Sequence, residues 1–130
     1  MSSPAVKIKN FTDLITWQEA HKLVILIYTI TKNFPSEEKF GLISQMRRSA
    51  ISISSNIAEG FGRQGYKEKI KFYYLAQGSL TELKNQIIIA YDIHYLAQEK
   101  FTEITEQINH AHRLLQGLIT KSKTFLNPKS

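Results

Sequence analysis

Apolar residues along this chain recur at alternating intervals of three and four, the spacing of helices that each bury one face. The clearest case lies in Gln45 to Arg63, QMRRSAISISSNIAEGFGR, together with the residues just before it. Ile43, Met46, Ala50, Ile53 and Ile57 fall on one helical face and predict a core stripe. Arg48, Ser52, Asn56 and Glu59 form a polar stripe about a quarter-turn or more away, whose groups need partners. Gly60 and Gly62 are placed to stop this helix through left-handed backbone angles.

Three more helices follow from the same rhythm. Thr12 is the expected N-cap of the first, with Asp13 favouring its positive end. Leu14, Trp17, His21, Val24, Tyr28 and Thr31 make its core stripe, and Leu23, Leu26, Ile27 and Ile30 add a second apolar strip. That surplus fits either a wide core face or a subunit interface. Phe34-Pro35 breaks the first helix, and Ser36 is the expected cap of the second. The third is expected from Tyr66 to Tyr95, with Phe72, Ala76, Ser79, Leu83, Ile87, Ala90 and His94 inward. Gly78 in its middle implies a close neighbour or a bend. After a tight connection at Leu96 to Lys100, the fourth places Phe101, Ile104, Ile108, Ala111, Leu115, Leu118, Ser122 and Phe125 on one stripe. Four long helices with short connections predict an all-α, antiparallel up-down-up-down four-helix bundle over residues 11–126. Residues 1–10 read as a flexible N-terminal arm and residues 127–130 as a frayed C-terminus.

Composition narrows the function classes. The 130 residues suit one domain, and the absence of cysteine excludes disulfides and thiolate chemistry and fits a cytoplasmic protein. No apolar run is long enough to span a bilayer, so no membrane association is expected. Seventeen basic residues against 11 acidic ones give a net charge of +6, and the pI of 9.6 favours polyanions. The excess is even along the chain, with 8 basic and 5 acidic groups in residues 1–65 and 9 and 6 in residues 66–130.

Candidate chemistry is sparse. FGRQG at residues 61–65 lacks the ending of a phosphate-binding loop and follows no strand. A di-iron bundle needs Glu-x-x-His motifs, and none occurs. Glu106 and His110 are four apart, His110 and His112 are two apart, and His21 and His94 sit on core stripes as expected buried, hydrogen-bonded histidines. No metal and no cofactor are expected. Asn56, Glu59 and Glu82 read as a structural polar network that fixes helix register, with Arg47 or Arg48 as countercharge, rather than as a catalytic acid/base pair. Arg47, Arg48, Arg63, Lys67 and Lys71 are the candidate nucleic-acid contacts, and Lys69 points away from the face that Lys67 and Lys71 share.

The segments FTDLITWQEAHKL, NFPSEEKFGLISQ, RRSAISISSNIAEGFGR and FYYLAQGSLTEL together resemble the bacterial four-helix bundle family of the 23S rRNA intervening-sequence proteins. The most specific part is Asn56 to Gly60 followed by Arg63, then Gly78-Ser79 and Glu82-Leu83; Ala97 departs from a serine common at that point. The resemblance implies a homopentamer. It also implies kinship with the accessory variability determinant of diversity-generating retroelements, a basic pentamer that binds nucleic acid and a reverse transcriptase. The expected function is therefore a non-enzymatic homo-oligomer that binds RNA or DNA with little sequence specificity. The alternative is a protein-protein interaction module or scaffold without a nucleic-acid role.

Overall fold

The computed structural model describes residues 7–126. Residues 1–6 of the expected arm and the expected fray at 127–130 lie outside the described residues. Four helices make up the fold: α1 (Ile15–Thr31), α2 (Leu42–Gly62), α3 (Tyr66–Asp92) and α4 (Gln98–Leu126). Each packs against its neighbour in sequence and α1 closes against α4, which gives an antiparallel up-down-up-down four-helix bundle. Its core is one continuous cluster from all four helices, including Leu23 and Ile27 of α1, Met46 and Ile53 of α2, Leu80 and Leu83 of α3, and Ile104 and Leu115 of α4.

The α2 stripe lies where its spacing puts it, with Ile43, Met46, Ala50, Ile53 and Ile57 all buried. On α1 the two strips change places. Leu23, Ile27 and Ile30 are core, whereas Leu14, Trp17 and Val24 are only partly buried and His21 and Tyr28 are exposed. The true stripe also contains Thr16 and Glu19, whose polarity disguises it, and Thr31, the one member of the expected stripe that is fully buried. On α3, Tyr73 and Leu80 are buried where Phe72 and Ser79 were expected, and those two sit at the flank. On α4, Ile119 is buried, Leu118 is partly buried and Phe125 is exposed, stacked on Tyr66 with centroids 4.9 Å apart.

Helix ends differ from expectation for local reasons. Asn10, not Thr12, caps the first turn: its Oδ1 accepts the Thr12 amide, and the Asp13 carboxylate accepts the Asn10 amide in return. That box closes a single 3₁₀ turn, and extended Leu14 delays α1 to Ile15. Ser36 likewise starts only a 3₁₀ turn, since Gly41 at φ −111° and ψ −114° interrupts the chain before α2. Gly60 and Gly62 lie inside α2, and no described glycine has positive φ. The helix stops at extended Arg63, and the Lys69 ammonium accepts the role of an end cap by donating to the Phe61 carbonyl at 2.5 Å. Helix α3 ends at Asp92. His94 then takes φ 69°, donating to Tyr91 O while Tyr95 donates to Ala90 O, which is a Schellman closure with histidine in the usual glycine position. His94 is therefore exposed instead of buried.

Close helix approach occurs at a glycine other than the expected one. A Cβ on Gly78 would meet nothing within 4 Å, whereas on Gly60 it would lie 2.6 Å from Tyr73 Cε1. Gly60 therefore seats α3 against α2.

Candidate nucleic-acid interface

Antiparallel packing redistributes charge that is even along the chain. The start of α3 and the ends of α2 and α4 meet at one end of the bundle, bringing together Arg63, Lys67, Lys69, Lys71, Lys121 and Lys123. Glu59, Glu68 and Asp13 are the described acids of that end. At the opposite end Glu37, Glu38, Asp92, Glu99 and Glu103 are balanced by Lys32, Lys39, Arg47, Arg48 and Lys100. The bundle is thus basic at one end and close to neutral at the other.

The candidate residues divide accordingly. Arg63, Lys67 and Lys71 belong to the basic end. Lys67 and Lys71 are exposed, one turn apart on the outer face of α3, and make no ion pair or side-chain hydrogen bond with a described residue. Arg63 is exposed but engaged: it pairs with Glu59 at 3.3 Å and its guanidinium lies 4.6 Å from the Phe72 ring centroid. Arg47 and Arg48 lie elsewhere, 16 and 15 residues before Arg63 on α2, a rise of roughly 23 Å. Arg47 donates from Nε to Thr31 Oγ1 at 2.9 Å and covers the Tyr28 ring at 4.4 Å, so it fastens α2 to α1. Arg48 reaches only Gln45, at 3.2 Å.

The polar groups of α2 do not form one network. Ser52 and Ser79 share a hydrogen bond across the α2–α3 seam at 2.8 Å, and Asn56 donates back to Ser52. Glu82 accepts from Ser49 Oγ on the same seam, whereas Glu59 turns to Arg63 at the helix end. Asn56 and Glu82 thus hold the seam through different serines, and neither Arg47 nor Arg48 is their countercharge.

Lys69 is turned inward. Its ammonium lies 5.3 Å from the Phe61 centroid and 5.8 Å from the Tyr66 centroid, and partial burial pushes its pKa below the usual lysine range. Nearby Tyr73 is pushed up to about 12, first by burial and then by Tyr66. Phe61, Tyr66, Lys69, Tyr73 and Phe125 line a cavity of about 300 Å³ at this end.

Sequence reasoning missed Lys84, Arg113, Lys121 and Lys123. For the last three the signal is present in the sequence, since residues 107–126 contain no aspartate or glutamate. The most elaborate buried polar cluster lies instead between α1 and α4. Glu19, nearly buried, accepts from Lys22 at 2.8 Å and Gln107 at 3.2 Å and lies 3.4 Å from His110 Nε2. Lys22 above all holds its carboxyl below the usual range, with Gln107 and His110 adding to the effect. His21 is not buried but stacks on Trp17, with centroids 4.8 Å apart. Among the described residues no group of three or more His, Cys, Asp or Glu side chains is arranged to hold a metal, and no helix is long and apolar enough to cross a membrane.

These features define an antiparallel helical bundle with segregated charge. The chain belongs to the 23S rRNA-intervening sequence protein family, whose model matches residues 12–117. It is similar to the crystal structure of a protein with unknown function from the S23 ribosomal protein family of Bacteroides thetaiotaomicron, with a TM-score of 0.75 and 22% identity. That match covers 81% of this chain and 98% of the other, and at this identity it is a likeness of fold. Among curated proteins none matches the sequence.

Proposed function

We propose that this protein is a non-enzymatic, self-associating bundle, pentameric and cytoplasmic, whose basic surface binds RNA or DNA with little sequence preference. The observation that carries the reading is the collection of five lysines and Arg63 at one end, where Lys67 and Lys71 have no described ion-pair partner. Such a surface attracts phosphates mainly through counterion release, which favours backbone contact over base recognition. Self-association is supported by apolar surface at α1 and the start of α2: Phe40, just before α2, is 88% exposed and shares a depression with exposed Tyr28 and Ile51, and Ile25 of α1 is also exposed. A closed ring would align five +6 subunits and deepen the field.

The test is light scattering coupled to size exclusion on protein purified without nuclease, followed by titration of labelled RNA and DNA at several salt concentrations. A mass near five times 15.0 kDa, excess absorbance at 260 nm and a steep salt dependence are the expected results. A monomer refutes the self-association, and absence of binding at low salt refutes the nucleic-acid role. An oligomer that binds no nucleic acid favours the second reading, a scaffold for a protein partner, which the exposure of Phe40 also supports.

A further inference from the structure

We infer that the groove between α3 and α4 is the track for a single strand of nucleic acid, an inference that rests on the nucleic-acid reading above and gives it a location and a ligand class. Two adjoining depressions occupy this groove. One, of about 350 Å³, is lined by Tyr74, Gln77, Gln116 and Lys123 among others, over a floor at buried Ile119. The next, of about 260 Å³, is lined by Asn109, His112, Arg113 and Gln116. Gln116 lines both, so the two depressions adjoin along α4, the second on the α4 side of the groove.

Its chemistry is of a single kind. Every polar side chain named is cationic, an amide, an imidazole or a phenol, and α4 has no acid from residue 107 to residue 126. On α3, residues 69–81 are also free of acids, and Glu82 bonds Ser49 on the opposite side of that helix. Lys84 reaches across the groove to Asn109 Oδ1 at 3.3 Å, and Gln77 meets His112 at 3.4 Å. Lys123 stands 5.2 Å from the Tyr74 centroid, and that ring is 44% exposed. Long contacts of this kind leave the cations and amides available to an incoming ligand.

The arrangement matches a single strand better than a duplex. Non-specific single-strand sites combine a basic groove for the backbone with aromatic platforms for bases. Arg113 and Lys123 supply charge in the groove, Tyr74 supplies a platform, and Gln77, Asn109 and Gln116 offer donors and acceptors suited to base edges. A duplex has its bases stacked and cannot use the tyrosine. From Asn109 to Lys123 the helix rises roughly 21 Å, about six nucleotides at a stacked rise of 3.4 Å.

Anisotropy titrations of the full chain with labelled 12-nucleotide single strands and matching duplexes test this. Three variants are compared with wild type: Tyr74→Ala, Arg113→Gln with Lys123→Gln, and the control Lys67→Gln with Lys71→Gln, which removes equal charge outside the groove. Thermal melts confirm that each is folded. Tyr74→Ala is expected to weaken single-strand binding by about tenfold, the scale of one lost stacking platform, without altering the salt slope. The groove pair should weaken it more than the control pair does and flatten the slope by about 1.4, at about 0.7 per phosphate contact. Equal losses from the two charge pairs, an unaffected Tyr74→Ala protein, or duplex binding as tight as single-strand binding would each overturn the groove assignment while leaving a basic surface at work. Wild-type protein that binds neither probe overturns the broader reading as well.

Discussion

Gly60→Ala and Gly78→Ala make the same chemical change in two long helices and are expected to have opposite effects. A methyl group at residue 60 would lie 2.6 Å from Tyr73 Cε1, 2.9 Å from Tyr73 Cδ1 and 3.0 Å from Phe72 Cβ. Carbon atoms pack best at about 3.5–4.0 Å, so the ring or its helix must retreat by nearly an ångström. Tyr73 is only 2% exposed and has little room to do so. Overpacking of this order costs about 1–3 kcal/mol, and alanine's better helix propensity offsets about 1 kcal/mol of that. The net expectation for Gly60→Ala is a loss of about 1–2 kcal/mol, weighted toward the larger clash. Gly78 is exposed, in mid-helix and has nothing within 4 Å, so Gly78→Ala should gain about 1 kcal/mol. Urea denaturation followed by far-ultraviolet circular dichroism, at one fixed protein concentration, reads both. With a slope of about 2 kcal/mol/M, the midpoint falls by about 0.5–1 M for Gly60→Ala and rises by about 0.5 M for Gly78→Ala. An unchanged or raised midpoint for Gly60→Ala would refute the close seating of α3 on Gly60.

Three other substitutions test separate features. His94→Gly relieves a left-handed histidine and should stabilise the protein by about 0.5–1 kcal/mol, read as a higher melting temperature; an unchanged or lower one contradicts the Schellman assignment. Arg47→Met removes the Thr31 bond and the Tyr28 contact, and should cost about 1–2 kcal/mol while leaving nucleic-acid affinity within about twofold, since this arginine is a fastening between helices. Because the folded-state pKa of Glu19 is depressed below its ordinary 4.5, its contribution is fully present above that value and is lost as pH falls through the lower folded value. Glu19→Gln should therefore be less stable at pH 7 and lose less of its urea midpoint on acidification than wild type; parallel losses would refute the linkage.

The α2 stripe was legible because Ile43, Met46, Ala50, Ile53 and Ile57 recur at three-four spacing, with only the small Ser49 and Ser54 buried beside them. On α1 two apolar strips compete, and the one that wins includes Thr16, Glu19 and Thr31, which are buried because Leu114, Gln107 and Ile27 supply partners from α4 or from the same helix. A partner on a distant helix has no local sequence signature. The same holds for charge: counts over halves of the chain are even, yet folding brings the end of α2, the start of α3 and the end of α4 together. Arg47 and Arg63 share a signature segment but face opposite ends of one helix, so nearness in sequence overstated their cooperation. The acid-free run at residues 107–126 is readable in the sequence, but that it lies alongside the acid-free residues 69–81 of antiparallel α3 follows only from the fold.

The polar seam between α1 and α4 has a kinetic consequence. These helices come from opposite ends of the chain and share the lightest of the four helix-helix contacts, whereas α2 and α3 share the heaviest across the shortest connection. Closing α1 on α4 spans the longest loop, so on chain-entropy grounds this seam zips last and opens first. Glu19, Gln107 and His110 clasp it, and the clasp is expected to loosen only as the pH falls through the depressed Glu19 value. Hydrogen exchange should accordingly strip protection from α1 before α2 and α3, with acid widening the gap; uniform protection across the four helices would show that the bundle opens as a single unit instead.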